Sequence, residues 1–238
     1  LGGDQNADPY FYSVALLCHF DGANGSTTFT DSSASPNDPV AHGDAQLTTT
    51  GPMYGTACAT FDGTGDYALT PVYSGPPTTG TGGQFCFEGW FYPGDSGVFR
   101  YMGGIWDTSA TPVGWSVART NTGVLTLNVG NIGGATAVIT GTTVAAAGAW
   151  HHWALTRDGS AIRLWLDGVL EGSYSATPGG FLNWQFDIAL REVLIGAWRL
   201  SSSVFIVLWL GKIDEVRLTF GTARYTSAFA PAGPFPSA

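Results

Sequence analysis

Glycoside hydrolysis needs a pair of carboxylates flanking the scissile bond, about 5–10 Å apart. The chain has four glutamates, Glu88, Glu171, Glu192 and Glu215, and none is followed by an acidic residue at i+2 or i+4. Glu215 adjoins Asp214, but successive residues of a strand point to opposite faces. A glycosidase is therefore not expected. No Gly-x-Ser-x-Gly elbow, His-Glu-x-x-His pair or phosphate-cradling glycine loop occurs either. His151 and His152 would diverge on a strand, so packing rather than a shared metal ion is expected of them. No catalytic residue is assigned, and the chain is read as a non-enzyme.

Binding chemistry is better represented. Flat aromatic rings beside hydrogen-bonding side chains are platforms for sugar rings. Trp165 falls on the strand face opposite Ile162, Leu164 and Leu166. Trp106 and Trp115 bracket residues 107–114, and Trp184 lies in a loop-like stretch after Gly180. These four tryptophans are the candidate ligand-binding residues; the alternative for each is packing beneath a loop.

Composition excludes other partners. The net charge is −9, and the nine basic residues are thinly scattered. Nucleic acid needs a basic stripe to neutralise its phosphates, and an anionic membrane surface needs a basic cluster. The longest apolar run, Val204–Leu210, is far too short to span a bilayer. Cys18, Cys58 and Cys86 cannot all pair, and each sits in an apolar strand-like run without a C-x-x-C spacing. They are read as buried free thiols, consistent with assembly in a reducing cytoplasm.

The elements that must position these residues are strands. Around residues 150–168, Trp153 and Leu155 alternate on one strand, and Ile162, Leu164 and Leu166 on the next. That period of two marks a half-buried hairpin. Asp158-Gly159 and Asp167-Gly168 supply the turn residues. Thirty-four glycines and thirteen prolines predict many short strands joined by turns. Further strands are expected at 14–20, 57–61, 67–70, 84–92, 98–106, 113–119, 123–129, 135–140 and 192–198, with a long loop over 175–191. Val204–Leu210 is apolar at every position, so both of its faces should be covered. One cover is the core; the other is a subunit contact or a loop folded over it. The fold class is all-β: a single antiparallel β-sandwich over 14–230. Residues 1–13 are read as an N-terminal connector and 231–238 as an extended C-terminal segment.

The hairpin also carries a resemblance. Trp150-x-His152, Leu155-Thr-Arg-Asp-Gly159 and Leu164-Trp-Leu-Asp-Gly168 are similar to the central hairpin of laminin G-like jelly rolls, within the concanavalin A-like lectin/glucanase superfamily. Phe61-Asp-Gly-Thr-Gly-Asp-Tyr67, Phe87-Glu-Gly-Trp-Phe91, Leu194-Ile-Gly196 and Gly211-Lys-Ile-Asp-Glu-Val-Arg-Leu218 match in order. Asp8-Pro-Tyr-Phe11, Leu16-Leu-Cys-His-Phe-Asp-Gly22, Asn24–Ser33, Ala223-Arg-Tyr-Thr226 and Pro234-Phe-Pro236 resemble the variant found in bacteriophage tail and virion proteins. The resemblance implies a virion-surface module, a tail fibre adhesin or a capsid decoration. Host-surface glycans, other virion proteins and further copies of the chain, plausibly as a trimer, are the partners it implies. The competing implication is a structural virion protein that makes subunit contacts without glycan. It also implies a structural calcium, with Asp21, Asp214 and a carbonyl near Gly63 at the matching positions.

Overall fold

The structure is a computed structural model that describes residues 8–72, 83–107, 113–131, 134–175, 191–199 and 204–237. Its strands are β1 Val14–Cys18, β2 Val40–His42, β3 Gln46–Thr48, β4 Cys58–Asp62, β5 Tyr67–Leu69 and β6 Phe85–Pro93. There follow β7 Arg100–Asp107, β8 Val113–Arg119, β9 Val124–Asn131, β10 Gly134–Val144, β11 His151–Arg157 and β12 Ala161–Leu166. The last are β13 Val169–Ser175, β14 Arg191–Ile195, β15 Trp198–Arg199, β16 Phe205–Ile206 and β17 Leu210–Phe220. One sheet runs β13-β12-β11-β6-β17-β4-β3, with β1 also paired to β17; the other runs β10-β9-β8-β7-β14-β5-β2. All pairings are antiparallel. The architecture is an all-β sandwich of jelly-roll type.

Alternation along each strand decides which residues meet between the sheets. Phe87, Phe91, Trp153, Leu155, Ile213 and Leu218 from the first sheet share one buried cluster with Met102, Ile105, Trp115, Val117, Leu127 and Val193 from the second. The intervening residues Glu88, Trp90, His152, Trp165 and Arg217 therefore face outward on the first sheet. All five are nevertheless buried, because the chain ends return over them. Phe229 packs edge-on against His152 and Trp165, each with ring centroids 5.7 Å away. Phe235 is 4% exposed, packs with Val14 and Leu17, and lies 3.9 Å beneath the Arg217 guanidinium carbon. Gly168 is needed at this crossing: a Cβ there would stand 1.8 Å from the Phe229 carbonyl oxygen.

β2, β3 and β13 lie where no strand was expected. β2 and β3 are three residues each, too short to show a period in a Ser/Thr/Asn-rich stretch. β13 is an edge strand with mostly exposed residues, so it lacks the hydrophobic alternation that betrays a half-buried strand. Val204–Leu210 folds onto its own chain. Trp209 enters the main core, Phe205, Ile206 and Leu208 pack over the outer face of the second sheet, and Val204 and Val207 stay exposed. Cys18, Cys58 and Cys86 are buried and unpaired.

Candidate functional site

The structure places three of the four expected platform tryptophans in packing positions. Trp115 lies between the sheets, stacked on Phe85 with centroids 5.2 Å apart. Trp106 does face outward, but Trp198 meets it edge-on at 4.4 Å. Trp165 also faces outward as its register required, yet Phe229 covers it and its indole N–H donates to Thr156 Oγ1 at 2.9 Å. At 1–2% exposure, none of these three rings offers a face to solvent. Trp184 lies outside the described residues.

Trp150 is the one described tryptophan that is not buried. It stands at the head of β11, where His151 pairs with Phe91, so the ladder sets it beside Tyr92. Their rings meet edge-on with centroids 5.6 Å apart. Tyr92 pairs with Lys212, Lys212 with Thr60, and Thr60 with Gln46. Directly paired antiparallel residues share a face. Gln46, Thr60, Lys212, Tyr92 and Trp150 thus form one outward row across five strands of the first sheet. All five are partly exposed.

The segment joining β3 to β4 borders this row and orients it. The Gly51 carbonyl accepts the Trp150 indole N–H at 3.3 Å, and the Thr50 carbonyl accepts from Lys212 Nζ at 2.5 Å. Lys212 Nζ also stands 5.2 Å from the Tyr92 ring centroid, within cation–π range. An aromatic pair, a cation, a hydroxyl and an amide are therefore presented together on a rigid sheet. Such a row can stack a sugar ring and hydrogen-bond its hydroxyls.

The four glutamates are committed elsewhere. Glu88, fully buried, accepts two hydrogen bonds from Arg217 at 2.7 and 2.9 Å and one from the Tyr225 hydroxyl at 2.8 Å. Burial alone would raise its carboxyl, but the charges of Arg217 and Arg224 and the neighbouring His152 ring outweigh that and hold it at about 2. Arg217 and Arg224 also pair with Asp8, at 3.3 and 2.6 Å. Glu215 accepts from Phe235 N–H at 2.7 Å and bonds His19 Nδ1 at 2.9 Å, while His19 Nε2 reaches Ser237 Oγ at 2.9 Å. Glu171 caps the Thr142 and Thr143 amides of β10, and Glu192 pairs with Arg199. Two glutamates thus fasten the chain ends to the first sheet, and the other two fasten strands.

Asp214 accepts N–H bonds from Met53, Tyr54 and Glu215 at 2.9, 3.1 and 2.9 Å. Burial, reinforced by the neighbouring Glu215 charge, raises its carboxyl from 3.8 to about 7. A folded-state value above the unfolded one means a stability contribution that is full below about 3.8 and lost as pH rises through about 7. Asp214→Asn removes the charge and keeps an oxygen for Met53 and Tyr54. The variant is expected to be more stable than the parent at pH 8, by on the order of 2–4 kcal/mol. At pH 4 the two should nearly coincide; urea unfolding at both pH values measures this.

Of the residues expected to hold calcium, Gly63 stands apart from Asp214. Asp21 Oδ1 accepts from the Thr56 amide and hydroxyl and from the Ala57 amide, so Asp21 and Asp214 both face N–H donors of residues 53–57. Gly63 follows the far end of β4, where a Cβ would meet the Arg100 guanidinium at 3.2 Å. A different carboxylate group, Asp44, Asp62 and Asp66, has one oxygen from each within 4.8 Å of the others. Hard-oxygen sets of this kind suit divalent cations. The buried Asp66 is already bonded to the Asp44 and Asp62 amides, both at 2.8 Å.

Comparison with known proteins agrees with the topology. The sequence model of a family described as the concanavalin A-like lectin/glucanases superfamily matches residues 62–223. No curated protein matches the sequence. Domain 4 of AbnA, a GH43 extracellular arabinanase from Geobacillus stearothermophilus in complex with arabinotriose, is similar with TM-score 0.59 and 17% identity, over 89% of this chain and 94% of that one. The binding domain of botulinum neurotoxin DC, in complex with rat synaptotagmin II, gives 0.58 and 12% over 87% and 48%. A structure of botulinum neurotoxin type C, whose cell entry is described as dependent upon interaction with two ganglioside molecules, gives 0.56 and 10% over 90% and 49%. The chain spans about half the length of these two toxin chains. At such identities the likeness is one of fold.

Proposed function

The chain belongs to the concanavalin A-like lectin/glucanase superfamily, and on that premise we propose that it is a non-catalytic carbohydrate-binding module of a bacteriophage virion surface. The observation that carries the binding reading is the open row Gln46, Thr60, Lys212, Tyr92 and Trp150, with the only solvent-reaching tryptophan among the described residues. Domain 4 of AbnA supports it as a similar fold in complex with an oligosaccharide. Catalysis is disfavoured because each glutamate is held by an arginine, a histidine or backbone amides.

The virion reading rests on the chain ends. The pieces that resemble phage tail and virion proteins, around Asp8, Arg224, Tyr225 and Phe235, meet in a single buried cluster with Glu88 and Arg217. Their co-occurrence in one sequence therefore has a physical reason. A tail fibre adhesin or a capsid decoration that carries its sugar row outward, with glycans of the host surface as ligand, fits this arrangement.

Binding of the purified chain to a glycan array tests the proposal. The parent is expected to bind a restricted set of saccharides, and Trp150→Ala to lose them while keeping its melting temperature within a few degrees. Stacking on one ring contributes about 1–2 kcal/mol, so affinity should fall about 5- to 30-fold. A folded chain that binds no saccharide would favour the structural virion protein instead.

A further inference from the structure

We infer that the saccharide held by this row is anionic, bearing a carboxylate or sulfate that meets Lys212. The inference rests on the binding reading above and adds the ligand's charge class.

Lys212 is the single lysine of the chain, alongside eight arginines. Arg100, Arg163, Arg199, Arg217 and Arg224 are each paired with a carboxylate: Asp95, Asp158, Glu192, Glu88 and Asp8. Arg119, Arg157 and Arg191 are buried. Among the described residues, Lys212 alone is both partly exposed and without a carboxylate within 4 Å. In a chain of net charge −9, it is the lysine or arginine that meets solvent with no carboxylate beside it among the described residues.

Its position makes that charge directional. The bond to the Thr50 carbonyl uses one of its three N–H groups. The Tyr92 ring fixes its flank at 5.2 Å, and Trp150 stands on the other side of Tyr92. A pyranose stacked on Trp150 or Tyr92 would bring a ring carboxylate or sulfate onto the two remaining N–H groups. In a chain of net charge −9 an anion gains most by meeting Lys212, so the interaction selects orientation as well as class.

Titration of the full chain with galacturonic acid trisaccharide and with its carboxyl-reduced, neutral counterpart tests this, in low and high salt. The acidic trisaccharide should bind about fivefold tighter at low salt, a preference that an exposed ion pair supplies. The preference should vanish at about 1 M salt. Lys212→Met should bring the two ligands to equal affinity, and Trp150→Ala should weaken both. A sulfated trisaccharide as a third ligand distinguishes a general anion preference from a carboxylate one. Equal binding of acidic and neutral ligands by the parent would overturn the charge inference and leave the sugar row standing. Binding of neither ligand, by a folded chain that binds only neutral saccharides on the glycan array, would overturn the charge inference alone; binding of no saccharide at all would overturn both.

Discussion

Arg217→Met is expected to destabilise the fold by about 3–5 kcal/mol. The methionine fills the same space, but Glu88 is left fully buried without its two guanidinium bonds. Pairing the change with Glu88→Gln should restore much of the loss, because a buried ion pair costs desolvation that a neutral pair does not. The pH dependence gives an independent check. Glu88 is held at about 2 against an ordinary 4.5. A depressed carboxyl contributes stability that is present above about 4.5 and lost as pH falls toward about 2. Asp214 contributes equally to both chains, so in urea unfolding between pH 7 and pH 3 the stability gap between the parent and Arg217→Met should narrow as pH falls. A parent-like acid profile in the variant would mean that Glu88 is not held by Arg217.

Trp165→Ala is the second large effect. The ring is 1% exposed, packs on Phe229 and donates to Thr156. Its removal leaves a cavity beneath the returning C-terminal segment and an unpaired hydroxyl, at a cost of about 3–5 kcal/mol. Saccharide affinity at the Trp150 row should stay within twofold at a temperature where the variant is folded. Trp150→Ala should do the reverse, with little change in stability and loss of binding. Denaturation and titration of the two variants side by side separate the packing tryptophan from the platform tryptophan. If Trp165→Ala instead lost binding at unchanged stability, the assignment of roles would be inverted.

The sandwich was legible because its long strands are half-buried and alternate. Trp153, Leu155, Ile162, Leu164 and Leu166 all lie in the core as their spacing required. The outward direction of Trp165 was legible by the same rule. Its burial was not, because period two tells which face a residue takes and not what covers that face. The covering residues, Tyr225, Phe229 and Phe235, arrive from sixty or more positions downstream in an irregular segment. Trp150 was overlooked for a related reason. Next to His151 and His152 it reads as the start of a strand, although its odd separation from Trp153 already puts the two rings on opposite faces. The row with Tyr92 and Lys212 depends on the pairing of β6 with both β11 and β17, and no local pattern encodes which strands become neighbours. The calcium expectation placed Gly63 near Asp214 through family likeness; the register of β4 against β17 separates them, since Asp62 faces Leu210 while Ala59 faces Ile213.

The most direct measurement is the indole N–H spectrum of the ¹⁵N-labelled chain during titration with a saccharide that it binds, with the Trp150 resonance assigned through Trp150→Phe. The Trp150 signal should shift or broaden in step with saturation, since its ring and its bond to Gly51 border the ligand, while the Trp165 and Trp115 signals stay in place. Saturable binding that leaves Trp150 unmoved and shifts a buried indole would contradict the assignment of the row as the binding site.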